Sequence, residues 1–406
     1  KLCGFENSIS LDMGGTSTDI SLVDRGVLPV TNDWHVEYGY PIRFPSIEVL
    51  TIGAGGGSLA WIDRAGSLRN GPQSAGATPG PVCYNRGGDQ PTNTDANVYL
   101  GRLGTKLAGG SIELKTTMAE DSIQKVVATK LNLDREEAAI AILKVANANM
   151  ADAVRLVSIR KGYDPRDFAL VAFGGAGALH GAALAKDLNI PTVLIPPNPG
   201  ITSALGCLLV DITHDISRMY LNNVKDVKIE ELNSAFLELE NEGLERLSNE
   251  GVEKKDMLFQ RILDMRYLGQ WRSMSITVSN DISSLGDAIT TFHEEHGREH
   301  NYSRPEAEVE IYKIQVNATG VTPKAAIAVH DLVDKPLPPP NEFREIRFDE
   351  ASKRLKTPIY DRDSLHAGAK LSGPAVVEQL DSTILVPPGF RAEVDCHLII
   401  KMQLEK

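Results

Sequence analysis

Cysteine is scarce and scattered, with four residues in 406, at Cys3, Cys83, Cys207 and Cys396, and no C-x-x-C pair. That spacing gives no sign of a zinc ribbon or a disulfide framework, and leaves reduced thiols in a cytoplasmic protein as the expectation. Basic residues are outnumbered, 42 against 54 acidic ones, for a net charge of −12. Such a balance argues against nucleic acid or an anionic membrane surface as a general partner. No apolar run approaches the length of a membrane span, and no signal-peptide pattern opens the sequence. What is present, 42% hydrophobic and 24% charged residues, is ordinary for a globular protein. The length exceeds what one core usually serves, so two or three domains are expected. An anionic ligand would have to be held by a local device, since overall charge repels it.

One stretch supplies such a device. Ser10-Leu11-Asp12-Met13-Gly14-Gly15-Thr16-Ser17-Thr18-Asp19-Ile20-Ser21-Leu22-Val23 reads as a strand, a glycine-bearing turn and a returning strand. Successive glycines bring backbone N–H groups close to a ligand with no Cβ in the way. Thr16, Ser17 and Thr18 add hydroxyl donors, and Asp12 and Asp19 can hold a divalent cation directly or through water. Donors beside cation-holding carboxylates suit a polyphosphate. A plain Gly-Gly hairpin with solvated hydroxyls is the alternative.

Downstream, Thr31 to Phe44 alternates (Trp34, Val36, Tyr38, Tyr40, Ile42) as a β-ribbon broken at Pro41. Ile47 to Ile52 then runs into Gly53-Ala54-Gly55-Gly56-Gly57. Glycine at that density implies close backbone approach, to a ligand or to the first loop; a glycine bulge is the other reading. Gly71 to Asp95 is a long irregular stretch, expected to order over the cleft, and Thr94 or Asp95 caps a following helix. Asp134 and Glu137 form a capping box for a helix reaching Val157, along which Asn149, Asp152 and Arg155 either line a wet cleft or are solvated. Phe168 to Phe173 is a buried strand leading through Gly174-Gly175-Ala176-Gly177 into a small-residue helix. The helix N-terminus favours an anion or polar ligand by about 0.3–1 kcal/mol. The spacing misses G-x-G-x-x-G, so a dinucleotide site is not expected. Ile190 to Pro196 is the next strand, and Thr202 to Leu209 another short helix.

Together, Asp12 to Asp19, the Gly53–Gly57 loop with Ser58 to Trp61, Gly76 to Tyr84, Thr94 to Asn97 and Phe173 to Gly177 resemble, in order, the ATPase domain of the hydantoinase A / 5-oxoprolinase family. Asp264 to Gln270, Gly373 to Glu378 and Pro387 to Gly389 resemble its C-terminal region. The resemblance implies an α/β, actin-like (sugar-kinase-like) ATPase domain over 1–222, a mixed α+β region over 223–332 and a small β-rich domain over 333–406. It implies ATP and Mg²⁺, with Asp12 and Asp19 as catalytic and metal-holding residues. Gly14, Gly15, Thr16, Ser17, Thr18, Gly55, Gly56, Gly174, Gly175, Ala176 and Gly177 would contact the nucleotide, the Gly174 turn carrying the adenosine. Family members also carry a first phosphate loop in an N-terminal domain, absent from residues 1–406. The expectation is therefore the C-terminal portion of a longer polypeptide, or one half of a split subunit, with a hydantoinase B type partner.

The implied activity is ATP-dependent opening of a cyclic amide of hydantoin or 5-oxoproline type. The alternatives are a ketone carboxylase subunit of acetone or acetophenone type, and a non-catalytic nucleotide-binding subunit. In the second half, Lys228 to Asn249 is an amphipathic helix. Ser284 to His300 is a helix whose His293, His296 and His300 are spaced either for metal or as a solvated face. Residues 333–342, with four prolines, form a semi-rigid connector.

Overall fold

The computed structural model describes residues 2–31, 34–36, 40–42, 46–349 and 351–405. In chain order the first elements are β1 (Ser8–Met13), β2 (Thr18–Val23), β3 (Leu50–Ile52), β4 (Ser58–Ile62), β5 (Leu68–Ser74), α1 (Asn93–Tyr99), α2 (Thr116–Ile123) and α3 (Arg135–Val157). Next come β6 (Ala169–Phe173), α4 (Gly174–Leu188), β7 (Thr192–Ile195), α5 (Thr202–Cys207), β8 (Ile212–Asn223), α6 (Ile229–Asn249), β9 (Met257–Tyr267) and β10 (Met274–Val278). The remainder is α7 (Gly286–His300), β11 (Val309–Gly320), β12 (Glu342–Ile346), β13 (Leu355–Asp361), β14 (Lys370–Ser372), β15 (Ala375–Glu378), β16 (Thr383–Val386), β17 (Phe390–Val394) and β18 (Ile400–Leu404).

Two compact units result, one of residues 1–204 with 327–406 and one of residues 205–326. In the first unit an eight-stranded sheet runs β14-β17-β18-β7-β6-β1-β2-β3. β6, α4 and β7 form a parallel strand–helix–strand unit, with Ala169 opposite Thr192, and β1 lies parallel to β6, with Asp12 opposite Phe173. β6 and β7 are near-continuously apolar, as parallel strands covered by helices on both faces require, whereas β1 alternates polar and apolar residues. Ile9, Leu11 and Met13 alternate inward from β1 and join Met150, Val154, Leu170, Leu184 and Val193 in one core. Each such side chain contributes about 1.5–3 kcal/mol by leaving water.

The same core includes Val386, Phe390, Ile400 and Met402, because β18 hydrogen-bonds to β7 in antiparallel register, Ile195 opposite Ile400. Residues 333–406 therefore do not stand apart as a small β-domain: three of their strands extend the sheet that contains β1, and the others form the sheet β12-β13-β15-β16. Short Pro-Gly-punctuated strands suggested autonomy, but their apolar faces are completed only by the N-terminal half.

Local signals placed several elements well. Asp134 caps α3, with Glu137 closing the capping box. For α1 the cap is Thr92, not Thr94 or Asp95: Asp95 is the residue three positions on, accepting from the Thr92 amide at 2.8 Å. The stretch expected to be irregular over 71–95 begins inside β5 and ends inside α1; Asp95 accepts from the Cys83 amide at 2.7 Å, which ties the 75–92 connection between them to α1. The strands Trp34–Val36 and Tyr40–Ile42 pair antiparallel with Pro41 inside the second, opposite His35; Tyr38 and Phe44 lie outside the described residues. Along α3, Asn149 donates to the Asn70 carbonyl at 3.1 Å. Arg155 bridges Asp152 at 2.8 Å and Asp187 at 3.1 Å, and with Asp187 it lines an open cavity bordered by Tyr163 and Arg166.

His180 of α4 is 2% exposed and bonds through Nδ1 to Asn147 Oδ1 at 2.6 Å. Burial, aided by the Arg102 charge, pushes its pKa from 6.5 down to about 4. Below pH 6.5 the unfolded chain takes up a proton that the folded chain refuses until about pH 4. Stability is therefore expected to fall as pH drops through that window, by up to about 3 kcal/mol. Urea unfolding at pH 7.5 and 4.5 measures it; His180→Gln should flatten this part of the profile.

In the second unit the sheet β8-β11-β9-β10 packs Leu263, Met265, Ile311 and Ile314 with Phe236 of α6 and Phe292 of α7. Arg261 of β9 is 5% exposed and forks onto Glu240 at 2.7 and 3.0 Å. Arg261→Ala leaves the carboxylate without its partner and is expected to destabilise by about 3 kcal/mol, read as a drop in melting temperature; Arg218→Ala, at an exposed pair, should cost less than about 1 kcal/mol. On α7, His293 Nδ1 meets the Tyr267 hydroxyl at 2.8 Å and His296 Nδ1 meets the Tyr302 carbonyl at 2.8 Å. His296 is fully buried, so this histidine-bearing face of α7 packs and hydrogen-bonds and is not the solvated face expected from its spacing; among the described residues no three His, Cys, Asp or Glu side chains are grouped to hold a metal. Nor is any helix among them long and apolar enough to cross a membrane.

Candidate nucleotide site

Register fixes the site. β1 and β2 pair antiparallel with Asp12 opposite Asp19 and Met13 opposite Thr18. Directly opposed residues share a face, so both carboxylates stand together at the turn end of the hairpin, while Met13 and Thr18 point into the core, both fully buried. The Thr18 hydroxyl donates to the Ala54 carbonyl. Thr18 is therefore a structural residue, not a ligand contact: the period-2 alternation of β2 turns it inward.

Between the strands, Gly14 N–H donates to Ser17 O at 3.0 Å and closes the turn. Gly15 and Thr16 are exposed and Ser17 half-buried. The amides of Gly15, Thr16 and Ser17 and the hydroxyls of Thr16 and Ser17 find no acceptor among the described residues. A turn with three free amides beside two carboxylates is a nest for an anion with its counter-cation.

The Gly53–Gly57 loop underlies this turn. Gly56 N–H donates to Gly14 O at 3.0 Å and Gly57 N–H to Gly15 O at 2.6 Å, and Gly55 N–H donates to Ser58 Oγ at 2.8 Å. The Gly55 and Gly56 amides are thus engaged within the protein. A Cβ on Gly55 would stand 2.6 Å from the backbone of Gly15 and Thr16, so these glycines exist for close approach of one loop to the other. Asn93 Nδ2 donates to Gly55 O at 2.8 Å and Thr94 Oγ1 to Gly56 O at 2.9 Å, anchoring the loop to α1.

On the other side of β1, Gly174 opens α4 with φ +79, its would-be Cβ 2.5 Å from Asp12 Oδ1. The first turn of α4, Gly174 to Gly177, thereby presents the positive end of its dipole beside Asp12. Ala176 lies near the loop, 3.9 Å from where a Gly56 Cβ would be. Asp12, Asp19, Gly14 to Ser17 and Gly174 to Gly177 are brought together at one end of the sheet.

Three contributors were not singled out from sequence. Ser203 Oγ donates to Asp12 Oδ2 at 2.8 Å, Thr51 Oγ1 donates to Asp19 Oδ1 at 2.5 Å, and Asp381 Oδ2 accepts from Gly200 N–H at 2.8 Å. Only the stiff Pro-Gly loop before α5 hinted at the first; nothing local marks Asp381.

Among curated proteins, the chain is 40% identical over 414 residues to an uncharacterized protein of Methanocaldococcus jannaschii, covering 99% of this chain and 59% of that one. It is 38% identical over 410 residues to the caprolactamase subunit alpha of Pseudomonas jessenii, covering 97% of this chain and 57% of that one. The crystal structure of the ATP-dependent caprolactamase from that organism superposes with a TM-score of 0.91 at 37% identity, over 99% of this chain and 59% of that chain. A nucleotide-free acetone carboxylase structure superposes at 0.77 and 25% identity, over 99% and 59%. The chain thus spans somewhat under three fifths of the length of these relatives. Residues 1–216 match the hydantoinase/oxoprolinase profile and residues 221–404 that of the hydantoinase/oxoprolinase C-terminal domain, so the chain belongs to the hydantoinase/oxoprolinase family.

Proposed function

We propose that residues 1–406 carry the nucleotide-binding part of an ATP-dependent hydrolase that opens a cyclic amide, built on an actin-like ATPase fold. The observation that carries this reading is the convergence of free turn amides at Gly15, Thr16 and Ser17 with the Asp12–Asp19 carboxylate pair and the N-terminus of α4. Amides and hydroxyls of the turn bind and orient the polyphosphate, and the α4 terminus offsets its charge. Asp12 and Asp19 would hold Mg²⁺, which neutralises charge on the transferring phosphoryl group. With two protein carboxylates and no third in reach among the described residues, the donor set fits Mg²⁺, a cation that keeps waters and substrate phosphates as ligands.

Phosphoryl transfer breaks the β–γ bridging P–O bond of ATP and forms a P–O bond to the amide oxygen. A first water adds to the carbonyl carbon and the ring nitrogen leaves as the protonated amine, giving an acyl phosphate. A second water hydrolyses this to the carboxylate and phosphate, so the products from two waters are the ring-opened amino acid, ADP and phosphate. The greater likeness to the caprolactamase than to the acetone carboxylase, 0.91 against 0.77 in TM-score, favours a lactam, hydantoin or oxoproline over a ketone. The carboxylase likeness supports the second reading, a ketone carboxylase subunit. A hydantoinase B type partner is the expected companion, since the caprolactamase relative is itself one subunit. The four free cysteines suit the reducing cytoplasm we propose as its compartment.

The test is phosphate release from ATP by the complete assembly. Lactam- or hydantoin-dependent release supports the hydrolase, and release requiring ketone with bicarbonate supports the carboxylase. ATP binding without release under either regime leaves the non-catalytic subunit, and no binding rejects all three.

A further inference from the structure

The β15–β16 turn is distant in sequence from the carboxylate pair, yet a run of hydrogen bonds connects them. Asp381 Oδ2 accepts from Gly200 N–H at 2.8 Å, and Gln379 Nε2 donates to Pro197 O at 3.2 Å and to Asp381 Oδ1 at 2.5 Å. The Pro196–Gly200 loop is thus gripped at two points. The fit is close, since a Cβ on Gly200 would stand 2.7 Å from Asp381 Cβ. Three residues after Gly200, Ser203 Oγ donates to Asp12 Oδ2 at 2.8 Å. The same turn touches the opening of α4, where a Gly175 Cβ would lie 3.6 Å from the Asp381 carbonyl.

We infer that Asp381 and Ser203 are positioning residues that aim the Asp12 carboxylate at the cation accompanying the nucleotide. A half-exposed aspartate at a strand end has several rotamers. A hydroxyl bound to one oxygen selects among them, leaving the other oxygen for the ligand. Ser203 is itself exposed, so its own aim depends on the loop before it, and Asp381 fixes that loop. The inference rests on the nucleotide reading above.

The full-length protein is titrated with Mn²⁺ in the presence of ATP, free Mn²⁺ being read by electron paramagnetic resonance, with melting temperature measured alongside. Ser203→Ala and Asp381→Ala are each expected to weaken Mn²⁺ retention about tenfold, the scale of one hydrogen bond to a charged group. The double variant should be no weaker than Ser203→Ala, because both act through one contact. Asp381→Asn, which keeps an acceptor oxygen for Gly200, should restore retention to within about threefold of wild type, and it guards against simple unfolding of Asp381→Ala. Ser203→Ala within twofold of wild type, or an additive double variant, overturns the inference. Asp12→Ala is the reference: if it loses Mn²⁺ while Ser203→Ala does not, only the positioning role fails. If Asp12→Ala also binds as wild type, the nucleotide reading beneath it fails.

Discussion

Asp12→Ala is expected to lower ATP-dependent turnover of the complete assembly by about 10²–10³-fold while leaving the fold intact. The two halves of this result have separate causes. Asp12 is half-exposed at the end of β1, and its protein partner, Ser203, is exposed and finds water when the carboxylate goes. Nothing buried is orphaned, so the melting temperature should stay within about 2 °C. Function is different, because phosphoryl transfer depends almost wholly on positioning and charge stabilisation, and a single well-placed group at such a centre is worth about 10²–10³-fold. Asp12→Asn separates shape from charge: it retains an acceptor for Ser203 and should be nearly as impaired. Phosphate release, with calorimetry of ATP binding in Mg²⁺, reads both. Full turnover by Asp12→Ala would sink the assignment of this carboxylate.

The second large effect is a contrast between two glycines. Gly55→Ala places a Cβ 2.6 Å from the Gly15 and Thr16 backbone, where no side chain can yield. The two loops must separate, breaking Gly56–Gly14 and Gly57–Gly15 hydrogen bonds of 3.0 and 2.6 Å. A loss of about 3 kcal/mol is expected, seen as a fall in melting temperature accompanied by loss of nucleotide binding. At Gly15 a Cβ meets nothing within 4 Å. Gly15→Ala should therefore fold normally and weaken only ATP binding, through crowding of the phosphate nest. Equal melting temperatures for the two variants would contradict the account of the Gly53–Gly57 loop as a support for the first turn.

These two loops also show how far the sequence reached. Hairpin, glycine loop, Gly174 turn and the α3 capping box were legible because each is local: glycines and caps act within a few residues of where they are written. Whether the Gly53–Gly57 loop approached a ligand or the first turn was open, since glycine density states proximity and not its object; the register chose the turn. Thr18 was misjudged by one residue of strand alternation, which moves a hydroxyl from cleft to core. Ser203 and Asp381 escaped notice because their partners lie 191 and 181 residues away, and no local pattern encodes such pairing. The apparent autonomy of residues 333–406 failed for the same reason, their strands being completed by β7.

That completion has a consequence for synthesis. The sheet holding Asp12 is written at both ends of this sequence, with the compact 205–326 unit between. As the ribosome delivers the chain, β7 keeps an open edge, rich in Val193 and Ile195, until β18 has emerged more than 200 residues later. The 205–326 unit, continuous in sequence, has all its strands available first. Nascent chains stalled before residue 400 should accordingly hold a folded middle and an unfinished eight-stranded sheet, with an unpaired strand edge of the kind that aggregates or recruits a chaperone.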